Sequence, residues 1–322
     1  MRNYFYNPDG KIEKDIPVER FREALASENA LLWVDMEALE DSDIEILMDV
    51  FGLHPLTVED CIMVNARPKA DNFPNYLFLV TQGVRINPEN NNRIEIFEVD
   101  FCLGKNYLIT VHTEPVSSIT LNIERVDKGS PIITRGSDFL MCAILESLAD
   151  SYYPVVDHFD KRVDDMEAEL FKDPTTKTFN QIYRLKNDTM LLRRTIGPQA
   201  DVFSIVTRGD FPLIKPANYV YYRNVFDHLV RINDIVGTSR DIVTGALEAY
   251  VSIVSNRLNE VMKVLTLMAT IMMPFVVVPS IYGMNLKFLP FAQHEHGLWF
   301  ILGFTTLLTI FMVLYLRKKK WL

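Results

Sequence analysis

Cysteine is scarce in this chain of 322 residues: Cys61, Cys102 and Cys142 stand far apart and form no paired motif. That argues against a structural zinc site and fits a reducing compartment. No glycine-rich phosphate loop, nucleophile elbow or paired metal-ligand motif appears either. No nucleophile, base and orienting group fall at recognisable spacing, so an enzyme is not expected. The N-terminus lacks the basic, apolar, small-residue layout of a signal peptide, which leaves about 260 residues on the cytoplasmic side by expectation.

Positive charge is in deficit and unevenly placed. The chain holds 33 Lys and Arg against 42 Asp and Glu, a net charge of −9. From residue 263 on there are six basic side chains and one acidic one, so that part carries +5 and the remainder −14. An acidic body of this kind repels nucleic acid and anionic lipid and attracts cations, although acidity also serves solubility.

Two long runs, 264–286 and 297–316, contain no charged side chain, and Arg317 to Lys320 follow the second at once. Each is long enough to cross a hydrocarbon layer of about 30 Å, and a short joint, 287–296, predicts an antiparallel membrane hairpin. Basic residues at the C-terminal end and at Arg257 and Lys263 predict cytoplasmic termini and an external loop.

The first 135 residues read as an α/β domain. Leu31 to Val34 predict a buried strand, Ser42 to Glu45 a capping box, and His54-Pro55-Leu56 the start of a second helix. Segments 76–86, 93–103 and 107–112, separated by turn signals, predict a three-stranded antiparallel meander. Residues 136–214 predict a helical pair, one helix from Asp138 to Phe171 with an acidic patch, the other from Thr178 to Arg208 interrupted at Gly197-Pro198. Between Pro216 and Pro274 there is no proline, and helical spacing runs from the stalk, 215–263, into the first span. Such a helix, on the order of 100 Å long, must pack on copies of itself or on the preceding pair.

At 100° per residue Met262, Leu265, Ala269, Met273, Val276 and Ser280 share one face, with Asn259 just below. Ordinary helix packing accounts for such a stripe, and so does a pore lining. With no carboxylate in it, a pore here passes an ion that keeps its water, which suits magnesium. Asn285, in Tyr282-Gly283-Met284-Asn285, offers an amide to the waters of a hydrated cation, or equally caps the helix. His294-Glu295-His296 reads either as polar loop residues or as an external site for zinc, cobalt or nickel.

Taken together, Tyr282-Gly283-Met284-Asn285, Asn259 to Leu265, Lys318-Lys319-Lys320-Trp321-Leu322, His54 to Asp60, Arg67-Pro68-Lys69, Asn75-Tyr76 and Asp241-Ile242-Val243 resemble the CorA family of magnesium and cobalt transporters. The resemblance implies a funnel-shaped homopentamer in the cell membrane, an α/β cytoplasmic domain followed by long helices and a two-helix membrane hairpin. It implies transport of Mg2+, with Co2+ and Ni2+ as further ions, through an external mouth at Tyr282, Gly283, Met284 and Asn285. Asn259, Met262, Leu265, Met273 and Val276 become the pore constrictions, the lower ones forming the gate. Cytosolic Mg2+, held between protomers by Glu59 and Asp60 and the neighbour's stalk, keeps the pore shut.

Three departures bear on this. Asn224 stands where an aspartate partner for Asp60 is expected, which shifts attention to Asp227; Val276 replaces a threonine; and the external loop lacks the family's Met-Pro-Glu-Leu run. A Zn2+ transporter of the ZntB type and a non-conducting, cation-sensing membrane scaffold remain the alternatives.

Overall fold

The structure, a computed structural model, describes residues 1–63, 67–88, 92–285, 289–290 and 295–319. The chain divides into two compact units, Met1–Ala246 and Leu247–Leu322.

The first unit is built on one seven-stranded sheet in the order β2-β1-β3-β7-β6-β5-β4. Its strands are β1 (Arg2–Tyr6), β2 (Ile12–Lys14), β3 (Leu31–Glu37), β4 (Lys69–Asn72), β5 (Tyr76–Asn87), β6 (Arg93–Gly104) and β7 (Tyr107–His112). Only β3 and β7 pair in parallel. The expected meander is present as β5, β6 and β7, antiparallel and in continuous register. Alternation sends successive side chains to two covered faces. Leu31, Trp33, Leu77, Leu79, Phe101 and Leu108 enter one core, whereas Leu32, Val34, Phe78, Val80, Cys102 and Ile109 enter the other.

The second core is closed by α1 (Phe21–Ala26), α2 (Asp41–Asp49) and α3 (Pro55–Ile62). The first is closed by α4 (Ser117–Asp127), α5 (Ser137–Asp150), α7 (Thr176–Val206) and the start of α8 (Tyr219–Tyr282). Helix α6 (Tyr152–Lys172) buries Val155, Phe159, Val163, Met166 and Leu170. Together α5 and α6 are long and apolar enough to cross a membrane. Eleven of the fourteen α5 residues are nevertheless buried within this unit, so the apolar character belongs to the core.

Several expectations are corrected. The capping box of α2 is formed by Glu40 and Asp43 rather than by Ser42 and Glu45. A carboxylate at the cap serves as well as a hydroxyl, and the acceptor two residues earlier took the position. Residues 138–171 form two helices, α5 and α6, divided at Ser151. Pro154 has no N–H for the Asp150 carbonyl, which suits the first turn of a new helix and not the middle of an old one. Conversely, α7 runs through Pro198 without a break. The next residue, Gln199, is buried, its Nε2 donating to Tyr152 Oη at 2.5 Å and its Oε1 accepting from the Gln82 backbone N–H at 3.3 Å, so tertiary bonds hold the turn that the proline weakens. The acidic patch on α6 is mainly a solvated face: Asp157, Asp164, Asp165 and Glu167 are exposed, while Asp160 accepts from Ser239 Oγ at 2.6 Å.

Helix α8 has 64 residues, about 96 Å at roughly 1.5 Å per residue. In the first unit Tyr222, Val225, Leu229, Ile232, Val236, Ser239, Val243 and Ala246 are buried, a seam that repeats every three or four residues.

At the carboxyl end of the parallel pair, Trp33 Nε1 donates to Thr110 Oγ1 at 3.2 Å and that hydroxyl donates to Asp35 Oδ1 at 2.5 Å. His112 Nε2 lies 3.2 Å from the same carboxylate oxygen and its Nδ1 lies 2.7 Å from the Glu114 carbonyl. Both ring nitrogens face acceptors, which favours the doubly protonated imidazolium. Burial pushes the His112 pKa down, but the bonds to Asp35 and Glu114 outweigh it and hold it above its ordinary value of about 6.5. A group raised on folding contributes stability that is full below the unfolded pKa and lost as pH rises through the folded one. The thermal midpoint of the full chain is expected to fall as pH climbs above about 6.5, and His112→Gln is expected to flatten that slope; a parallel slope in the variant removes His112 as its source.

Candidate pore face and cation-sensing surface

In the second unit α8 presents two opposite faces. Pro274 is buried, and Leu267, Thr270, Ile271, Val278 and Tyr282 around it are half-buried. On α9 (Gly297–Lys318) Thr305 is buried, with Ile301, Leu308, Met312 and Leu316 half-buried at the same spacing. Those stripes are the packed sides of the unit. Met262, Leu265, Met273 and Val276 lie about half a turn away, each 58 to 61 % exposed, and Asn259, Ala269 and Ser280 are exposed with them. The predicted stripe is therefore left largely uncovered by the described residues of its own chain. Thr266, Thr270 and Ser280 return their hydroxyls to backbone carbonyls four residues earlier, so the polar groups of this segment are satisfied locally.

The helix ends at Tyr282. Gly283 N–H bonds the carbonyls of Pro279 and Ser280 at 2.9 and 3.2 Å, and Met284 N–H bonds that of Ile281 at 3.3 Å, a tightened last turn. Tyr282 Oη donates to the Pro290 carbonyl at 3.1 Å, tying the helix end to the following loop. Gly283 is not in the left-handed conformation of a glycine cap, and a Cβ there meets only Pro279 and Ser280 carbonyl oxygens at 3.5 Å, an ordinary contact. Among the described residues nothing requires glycine at 283. Met284 and Asn285 are exposed. Of the proposed external residues, Glu295 and His296 are exposed and His294 lies outside the described residues, as do Lys320, Trp321 and Leu322 of the tail.

Sensing was expected at α3. His54 caps this helix, its Nδ1 accepting from Leu56 N–H at 3.2 Å, while Tyr76 Oη accepts from the His54 N–H at 3.0 Å and bonds Thr57 Oγ1 at 2.8 Å. Phe73 stacks on Tyr76 at 4.5 Å. The strand start Asn75-Tyr76 thus anchors the helix start His54-Pro55. Anchored so, α3 buries Thr57, Val58 and Cys61 and turns Leu56, Glu59, Ile62 and Met63 to solvent. Asp60 is half-buried against Lys69, a cation that sequence reasoning passed over although Arg67-Pro68-Lys69 was in view; its Nζ is 2.6 Å from Asp60 Oδ2 and 3.1 Å from Asp71 Oδ2.

On α8, Asp227 is exposed and Asn224 Nδ2 donates to Glu146 Oε1 at 3.1 Å. Carboxylate oxygens are the right donors for a hard divalent ion. Within one chain, however, the described residues bring no three His, Cys, Asp or Glu side chains together to hold a metal, so Glu59, Asp60, Asn224 and Asp227 do not form a closed site by themselves. Of the histidines outside the loop, His54 stacks on Phe73 and His228 Nδ1 lies 3.3 Å from Asp150 Oδ1 at ion-pair distance, whereas His158 Nε2 is buried without a hydrogen-bond partner among the described residues. Cys61 and Cys102, remote in sequence, meet in the second core; their mutual hydrogen bond and burial push the Cys61 thiol up, away from reactivity.

Residues 28–318 match the family model of the CorA-like Mg2+ transporter protein. The chain belongs to this family. It is 33 % identical to the cobalt/magnesium transport protein CorA of Thermotoga maritima over 98 % of this chain and 94 % of that one. It shares its fold with the complete structure of the CorA magnesium transporter from Methanocaldococcus jannaschii, at a TM-score of 0.84, 18 % identity and coverage of 99 and 98 %. The zinc transport protein ZntB of Yersinia pseudotuberculosis is more distant, 20 % identical over 93 and 90 %. This CorA-like chain is thus a membrane transporter and not an enzyme, with an α/β domain and long helices, and the exposed apolar helices at its C-terminus are those of a membrane protein.

Because no neighbour among the described residues crowds Gly283, Gly283→Ala is expected to change the thermal midpoint of this CorA-like protein by less than the equivalent of about 0.5 kcal/mol. Cation flux is expected to drop at least about tenfold, as for a lost transition of roughly 1.4 kcal/mol. Equal loss of stability and flux returns the glycine to a folding role.

Proposed function

We propose that the protein is a channel-like influx pathway for hydrated divalent cations, chiefly Mg2+, with Co2+ and Ni2+ as further ions. Five copies pack around an axis, with 264–286 lining the pore, 297–316 forming an outer ring, 287–296 external, and 1–263 and 317–322 cytoplasmic. The observation that carries this reading is the stripe Asn259, Met262, Leu265, Ala269, Met273, Val276 and Ser280, unpacked in its own chain, running up to Gly283-Met284-Asn285. An apolar stripe on a membrane helix opposite its packed face is covered by lipid, by another copy, or by the water of a pore. Small and flexible side chains with a glycine that the chain itself does not need favour a symmetric close approach around an axis.

Such a lining offers no carboxylate to replace a first hydration shell. The ion therefore keeps its waters, which suits Mg2+, a cation that dehydrates reluctantly. Tyr282, Gly283, Met284 and Asn285 form the outer mouth, where the Asn285 amide hydrogen-bonds those waters. The membrane potential supplies the drive, about 4.6 kcal/mol for a divalent ion per 100 mV. Met262 and Leu265 form the gate, which closes by excluding water.

Cytosolic Mg2+ closes the pentamer by bridging Glu59 and Asp60 of one protomer to Asp227 and Asn224 of the next. Asn224 and Asp227 leave fewer charged ligands there than a pair of aspartates, so inhibition is weak. A zinc transporter of the ZntB type draws support only from His294-Glu295-His296, of which Glu295 and His296 are plain exposed loop residues.

The test is Mg2+ influx into liposomes holding the purified protein, with internal Mg2+ near zero or at millimolar concentration. Influx is expected to require Asn285, with Asn285→Ala reducing it at least about tenfold, and to fall at high internal Mg2+. Zinc influx without magnesium influx moves the reading to the ZntB type, and an intact pentamer that passes no divalent ion makes the protein a scaffold. Met262→Ala and Leu265→Ala are expected to raise influx at high internal Mg2+ by widening the gate; unchanged closure takes them out of the pore.

A further inference from the structure

The ion pair beneath α3 joins two elements. Lys69 opens β4, Asp71 follows on the same strand, and Asp60 lies in the last turn of α3. The ammonium of Lys69 is shared between Asp60 at 2.6 Å and Asp71 at 3.1 Å, and it sits 5.3 Å above the centre of the Phe78 ring on the neighbouring strand. Phe78 is the cross-strand partner of Asp71, so the ammonium is held over a rigid part of the sheet. Burial pushes the Lys69 pKa down, and the bonds to Asp60 and Asp71 outweigh it and hold the group charged.

Behind this pair lies a buried carboxyl group. Asp100, 2 % exposed, has an Oδ1 without a hydrogen-bond partner, and its carboxyl is pushed well up by burial and by the neighbouring charges of Glu98 and Asp60. Burial of this kind favours the neutral acid, so the anionic partners of Lys69 are Asp60 and Asp71. The pair is nevertheless open to exchange: about a third of each side chain is exposed, 30 % for Asp60 and 35 % for Lys69.

We propose that Lys69 is a built-in competitor of the regulatory divalent cation: its ammonium occupies Asp60 when cytosolic Mg2+ is low and moves over to Asp71 when Mg2+ takes Asp60. This rests on the reading of Asp60 as the cytosolic sensor. The exchange is a swap of counter-ions in which no charge is left bare, because Asp71 is already within bonding distance of the ammonium. The concentration at which the sensor fills is then set by the strength of the Lys69–Asp60 pair as well as by the affinity of the carboxylates for Mg2+.

The test compares Lys69→Met, which keeps the stem over Phe78 and removes the charge, with Lys69→Arg, Asp71→Asn and Asp60→Asn. Two midpoints are read on the full-length pentamer: the internal Mg2+ that halves influx, and the Mg2+ that half-protects the protein from trypsin. Lys69→Met is expected to lower both midpoints roughly fivefold, the effect of a partly exposed pair that no longer competes. Lys69→Arg is expected to stay within about twofold of the parent, and Asp71→Asn to raise both midpoints, since the ammonium then has only Asp60. If Asp60→Asn abolishes the Mg2+ response while Lys69→Met leaves the midpoints unchanged, the sensor stands and the competition is refuted. If Asp60→Asn itself changes neither midpoint, the sensor reading fails and the competition with it. Thermal midpoints of all four variants identify any that lose Mg2+ response through misfolding, in which case Lys69→Gln replaces the methionine variant.

Discussion

One buried seam decides what the rest of the molecule can be. Most of a helix's stability in a protein comes from packing rather than from propensity, and the 64-residue α8 is fixed because Tyr222, Val225, Leu229, Ile232, Val236, Val243 and Ala246 are taken out of solvent on one side. Burial of side chains of this size contributes about 1.5 to 3 kcal/mol each before conformational entropy is counted. The same seven-residue rhythm leaves Asp227, Asp234 and Asp241 exposed on the other side of that stretch. Later in the helix the exposed side turns apolar, from Met262 to Val276. The exposed surface of α8 is thus acidic in the first unit and apolar in the second.

Several ionic groups of the first unit are paired with partners of their own chain. His112 serves Asp35, Arg162 serves Asp188 at 2.7 Å, and Lys69 serves Asp60 and Asp71. The carboxylates that remain exposed, among them Glu59 and Asp227, are those whose charge a partner from outside can use. The distinction is between pairs that the fold needs and charges that it tolerates, and Asp60 stands on the border because its counter-ion is held by two acceptors at once.

Much of this is legible in the sequence. β5, β6 and β7 carry aromatic and β-branched runs divided by turn residues, so their pairing could be read directly. The helical spacing from the stalk through Lys263 announced α8, and the uncharged runs announced two apolar C-terminal helices. What escaped was short or compensated. β2 and β4, of three and four residues, are too brief to show alternation, and α4, with Ser117, Ser118, Thr120 and Asn122 in its first half, has little local preference for helix. Gly197-Pro198 misled because a local breaker was outweighed by Gln199 bonding across the core, a contact that no local window contains. At the candidate sensor the carboxylates were picked out by the family resemblance, whereas Lys69 was not, since nothing in the spacing of residues 60 and 69 says that a strand folds back beneath the helix.

The three cysteines, first noted for their rarity, have a practical consequence in the folded protein. Cys61, Cys102 and Cys142 are all buried, and the thiols of Cys61 and Cys142 are pushed above their ordinary range. Thiolate is the reactive form, so the native chain is nearly silent to maleimides and methanethiosulfonates. A single cysteine introduced at an exposed position of α8 can therefore carry a spin label or fluorophore on an unmodified background, and distances between identical labels in the assembly become measurable without first rebuilding the core.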